Sequence, residues 1–162
     1  MHTYDDLLET GNRFVELDQL GEALQSFRQA AELRPEETEP LVQLAFVFKQ
    51  LGDASGAIGL LQKAADLRPE NAYVLLNLAI AHYEEARWDD AERHLQASVQ
   101  IIERGTAELR RNVAEHAHEN SEEILSQCDQ LDQTATEARA LMAEIECRDS
   151  ELHPDHAVGL LE

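Results

Sequence analysis

The chain has 162 residues and carries 13 Lys and Arg against 33 Asp and Glu, a formal net charge of −20 at pH 7. The excess is spread along it, 9 against 19 in residues 1–104 and 4 against 14 in residues 105–162, so there is no basic face from which to neutralise phosphates. That argues against nucleic acid and anionic membrane as partners. No stretch approaches roughly 18 uninterrupted apolar residues, which argues against a spanning helix.

From about residue 3 the apolar positions follow the spacing of amphipathic helices, and they do so three times over. Leu7, Thr10, Gly11 and Phe14 mark a first helix, and Leu20, Ala23, Leu24, Phe27 and Ala30 a second. Leu41, Leu44, Ala45 and Phe48, then Ala57, Leu61, Ala64 and Leu67, repeat the pattern. Leu75, Leu78, Ala79 and His82, then Trp88, Ala91, Leu95 and Ile101, give it once more. Residues 34 apart correspond: Gly11, Ala45 and Ala79; Phe27, Leu61 and Leu95. A small residue on one helix admits a bulky one from the other, so each unit reads as an antiparallel helical hairpin that must stack to bury its faces. The units run over about 3–36, 37–70 and 71–104, within a repeat domain of residues 1–104. Pro35 and Pro69 stop the second helix of units one and two; unit three has Glu103 there, which leaves the stop to Gly105.

Residues 106–149 contain neither Gly nor Pro and favour helix. Residues 105–149 form either one long helix or two, since Asn120 and Ser121 followed by Glu122 and Glu123 offer a start signal near residue 120. Leu109, Val113 and Ala117 are placed to cap the open end of unit three. Beyond them Ile124, Cys128, Leu131, Ala135, Ala138, Met142 and Ile145 form a heptad seam. The seam suits a coiled-coil homodimer, packing on the same chain, or another protein. Residues 150–162 read as a tail whose Ala157, Val158, Leu160 and Leu161 form a small apolar peptide able to enter a groove.

The pattern L-x-x-T-G-x-x-F, A-x-x-x-F, P followed by L-x-x-L-A-x-x-F, A-x-x-x-L, P resembles the tetratricopeptide repeat. The resemblance implies an all-α solenoid of three repeats, followed by a capping helix and a long C-terminal helix. It also implies a concave groove lined by the first helix of each repeat: Leu8, Glu9 and Asn12; Val42, Gln43, Phe46 and Lys49; Tyr73, Leu76, Asn77, Ile80 and Tyr83. Size, acidity and repeat number are similar to the small tetratricopeptide chaperones of bacterial type III secretion. The clamp with which some family members hold the acidic C-terminal tails of heat-shock chaperones would fall on Leu8, Asn12, Gln43, Tyr73 and Asn77, where only Asn12 fits. Without the cations, a terminal carboxylate would be desolvated unpaired.

Enzyme chemistry finds no foothold: there is no phosphate loop, nucleophile elbow or zinc-ligand cluster, and no cofactor or metal is expected. His116 and His118 are two apart and point to opposite sides of a helix, and His153-Pro154-Asp155 lies in the tail. Cys128 and Cys147 are 19 residues apart on predicted helix, too distant to bridge, and read as reduced thiols of a cytoplasmic protein. The sequence therefore points to a protein-binding adaptor or dedicated chaperone that takes an apolar or basic peptide or amphipathic helix. The alternative is a scaffold that self-assembles through the groove and the heptad helix.

Overall fold

In the computed structural model, which describes residues 3–115 and 120–152, the chain is seven α-helices with no strand among the described residues. They are α1 (Tyr4–Glu16), α2 (Leu20–Leu33), α3 (Glu39–Gln50), α4 (Ala54–Leu67), α5 (Ala72–Glu84), α6 (Trp88–Glu115) and α7 (Ser121–Leu152). Local chemistry sets several of the starts. The Thr3 hydroxyl accepts from the Asp6 N–H while the Asp6 carboxylate accepts from the Thr3 N–H, a capping box that satisfies two orphan donors. Asp53 caps α4 and Asn71 caps α5 in the same sense.

Each hairpin closes around a small residue met by a bulky one. Phe27, fully buried, lies over Gly11, and a Cβ added there would fall inside the van der Waals contact of its ring. Ala45 and Ala79 occupy the corresponding places, with Leu61 and Leu95 buried in the same hairpins. Every hairpin core also reaches into the next inner helix: Leu7 and Phe27 cluster with Leu44 and Val47, and Ala57 and Leu61 with Val74 and Leu78. The third cluster joins Ala79, Ala91 and Leu95 to Ala135, Ala138 and Ile145 of α7. Fully burying one such large apolar side chain contributes about 1.5–3 kcal/mol, so the stack is held by its joints as much as by its units.

The tight turn inside each hairpin needs one residue with positive φ, and it too recurs every 34 residues: Asp18 at 57°, Gly52 at 80° and Ala86 at 55°.

The third unit departs from expectation at its end. Gly105 does not stop the outer helix, because with Glu103 in place of proline no ring interrupts the hydrogen bonds, and α6 runs on to Glu115. The cost of a helical glycine, about 1 kcal/mol, is offset by α7, which lies antiparallel along α6. Thr106 donates to Asp132, Arg110 pairs with Asp129 and Asp132, and Arg139 pairs with Glu103. Hydrogen bonds from Arg110 and then Thr106 hold the Asp132 carboxyl below its ordinary range. α7 begins at Ser121, where Asn120 accepts from the Ile124 N–H, and stays helical to Leu152, past the expected tail boundary at residue 150. His116, Ala117, His118 and the stretch from His153 onward, with the apolar tail peptide, lie outside the described residues.

Candidate functional site

The inner wall is made by α1, α3 and α5, and two stripes on each helix have different fates. The first stripe is a seam. Leu8 is buried in the cluster that holds Leu44 and Val47 of the next hairpin, and Val42 in the one that holds Val74 and Leu78. Leu76 takes the same register and packs with α7. Seven residues on, Lys49 is bound to Glu84 of the next inner helix at 2.6–2.8 Å, and the Tyr83 hydroxyl donates to Glu144 of α7 at 2.7 Å. That bond raises the Tyr83 hydroxyl above its usual pKa and, with Arg148, holds Glu144 below its own. Leu8 and Val42, expected on the open groove, are therefore packing residues; Lys49, Leu76 and Tyr83 are committed to neighbouring helices.

α7 runs parallel to α5, with Thr134, Glu137, Ala138 and Leu141 beside Leu76 and Ile80, and Glu144 beside Tyr83. It thus stands where the inner helix of a fourth hairpin would stand. The heptad seam is partly covered within the chain: Cys128, Ala135, Ala138 and Ile145 are buried, Ile124 and Met142 are half-buried, and Leu131 stays exposed. The buried seam positions that were candidates for oligomerisation serve the chain's own third hairpin, because a face of small residues fits closely on α6.

The second stripe is the less covered of the two. Spacings of four, three and four residues align Asp5, Glu9, Asn12 and Glu16 on α1. The matching sets are Glu39, Gln43, Phe46 and Gln50 on α3, and Tyr73, Asn77, Ile80 and Glu84 on α5. Asn12 is exposed, Gln43 half-buried and Phe46 46% exposed, an uncommon cost for a phenyl ring on a wall with neighbours on both sides. Tyr73 is 59% exposed at the far end, where it opens on a cleft of about 650 Å³ shared with Ile101, Leu109 and Leu131. Asn77 uses its amide N–H on the Tyr73 carbonyl, so only part of its bonding capacity faces outward. Ile80 is half-buried at the rim of α7. Asp5, Glu16, Glu39 and Gln50 were not singled out from the sequence, though the 34-residue register that located Phe46 also locates them.

A third feature sits behind the wall. His82 replaces the aromatic of Phe14 and Phe48; it is 4% exposed and stacks on His94 with ring centroids 5.5 Å apart and planes 8° from parallel. Its Nδ1 has no hydrogen-bond partner, and the nearest carboxylate oxygen, of Asp90, is 4.0 Å away and itself held by Arg87 and Arg93. Burial, then the charge of Arg87, lowers the His82 pKa; burial, then Arg93, lowers that of His94. Among the described residues no cluster of His, Cys, Asp and Glu could hold a metal ion, and no helix is long and apolar enough to cross a membrane.

Three stacked helical hairpins are the architecture of tetratricopeptide repeats, and the tetratricopeptide repeat family model matches residues 48–101. Among solved structures the chain is similar to the Yersinia enterocolitica type III secretion chaperone SycD in complex with a peptide of the translocator YopD. The TM-score is 0.67 at 12% identity, covering 90% of this chain and 93% of that one. PcrH in complex with the chaperone binding region of PopD matches with TM-score 0.64 and 14% identity, over 90% and 92%. The TPR2B domain of yeast Sti1 in its pHsp70 complex matches with TM-score 0.58 and 16% identity, over 81% and 97%. A search of curated proteins finds no match.

Proposed function

We propose that this chain is a non-catalytic cytoplasmic adaptor or dedicated chaperone that holds an apolar extended or helical segment of another protein in its trough. The observation that carries the reading is Phe46, exposed on the inner wall in the register of Asn12 and three residues from Gln43, while its neighbour Val42 is buried and Lys49 is tied to Glu84. A phenyl ring supplies contact area and the amides can donate to and accept from any peptide backbone. The SycD, PcrH and Sti1 structures, each a complex of a similar fold with a peptide or partner, support it. Replacing Phe46 and Asn12 with Ala tests it: proteins that co-purify with the native chain should fall by about tenfold with the melting temperature unchanged. Full retention on an intact fold would overturn it.

A further inference from the structure

We infer that the segment held in this trough is cationic and amphipathic, and that it lies with its Lys or Arg side chains over α1 and its apolar side chains over Phe46 and Tyr73. The inference rests on the groove reading above and adds the chemistry of the occupant. The trough stripe changes character across the wall. On α1 it is Asp5, Glu9, Asn12 and Glu16, three exposed carboxylates and one amide, none of the three in an ion pair among the described residues. On α3 it is Glu39, Gln43, Phe46 and Gln50, and on α5 it ends in the exposed Tyr73 ring.

The cations nearby leave this wall with an acidic excess. Lys49 is committed to Glu84, Arg34 lies over the Tyr4 ring at 4.3 Å, and Arg13, four residues from Glu9 and three from Glu16, is the one cation of α1 beside its trough carboxylates. A bound carboxylate-rich segment would meet Asp5, Glu9, Glu16 and Glu39 with Arg13 as the one cation of α1 beside them, whereas each Lys or Arg of a basic segment gains a partner. The rest of the occupant must be apolar, because Phe46 and Tyr73 offer area and no charge. A second copy of this chain, at −20, would bring like charge to like.

The test separates local pairing from the long-range pull of an acidic protein. Binding of a fluorescein-labelled peptide with Lys and Leu in amphipathic helical spacing is measured against Gln/Leu and Glu/Leu versions, at an ionic strength of about 0.15 M. The native chain should bind the Lys version at least about tenfold more tightly than the Gln version and should not measurably bind the Glu version. The triple change Asp5→Asn, Glu9→Gln, Glu16→Gln should remove that preference. An equal change of charge on outer helices, Glu22→Gln, Glu32→Gln, Asp66→Asn, should leave it within about twofold. Equal losses in both triples, or no preference for Lys, would overturn the cationic assignment. Phe46→Ala identifies which idea failed: if it abolishes binding while the preference is absent, the groove stands and its charge selectivity falls. If Phe46→Ala binds every peptide as the native chain does, the groove reading falls with it.

Discussion

Hairpins one and two are each completed by the hairpin that follows, whereas the third is completed by a single helix of different sequence. Position 8 meets α3 and position 42 meets α5; position 76 meets α7, which shares none of the 34-residue pattern. The comparison shows that a solenoid joint requires a complementary apolar stripe at the right height, supplied by any helix whose other side can face water. α7 meets this with Ala135, Ala138 and Ile145 inward and exposed polar residues such as Ser126 and Gln133 on its other side. The strongest way to break the comparison is to remove that helix. A chain ending at Glu115 should lose amide protection throughout α5 and α6 while α1 to α4 keep theirs, as read by hydrogen exchange. Ile145→Ala alone, at a 2% exposed site, should cost about 2–5 kcal/mol in urea unfolding. Undiminished protection in α5 and α6 after truncation would mean the third hairpin stands without its fourth inner helix.

The repeat itself was legible because a 34-residue period is imposed by geometry: Gly11, Ala45 and Ala79 sit where two helices nearly touch, and only small residues fit. The inner wall was half legible. The period located Phe46 and Leu8 equally well, but which one is open depends on the angle at which the next helix packs, and one sequence does not state that angle. Position 8 lies a fraction of a turn from position 12, enough to turn it into the seam. The seam of α7 was visible as a heptad, yet a heptad fits a partner copy and the chain's own α6 alike; the Thr106–Asp132 and Arg139–Glu103 pairs that hold α7 on α6 are long-range. The run of α6 through Gly105 was missed because a lone glycine was given the stopping power that belongs to proline.

The hairpin turns sharpen the comparison at a smaller scale. Gly52 takes its φ of 80° without strain, whereas Ala86 holds 55° with a Cβ, a conformation that costs about 1–2 kcal/mol in an L-residue. Ala86→Gly should therefore stabilise the third hairpin by up to about 1 kcal/mol, after the added freedom of glycine in the unfolded chain. Gly52→Ala should cost a similar amount. A melting temperature unchanged in both would mean the turn relaxes at no cost.

The smallest expected effect concerns His82, the one aromatic-register position of the three that can take a proton. The folded pKa of His82, and that of its stacking partner His94, lie below the ordinary value of 6.5, so the unfolded chain binds protons first as pH falls. Stability is thus undiminished above pH 6.5 and declines as pH drops below it toward the folded values. Asp90 does not confuse this window: its partial burial works upward, but the hydrogen bond and charge of Arg87 outweigh it and keep the carboxylate ionised through it. The urea midpoint of the native chain should fall between about pH 7.5 and 5.5, and His82→Phe, which restores the ring of Phe14 and Phe48, should shrink that fall. The second change, His94→Phe, should shrink it further, because it removes the remaining imidazole of the pair. If the variants lose as much stability on acidification as the native chain, the buried pair is not what makes the third hairpin differ from the other two.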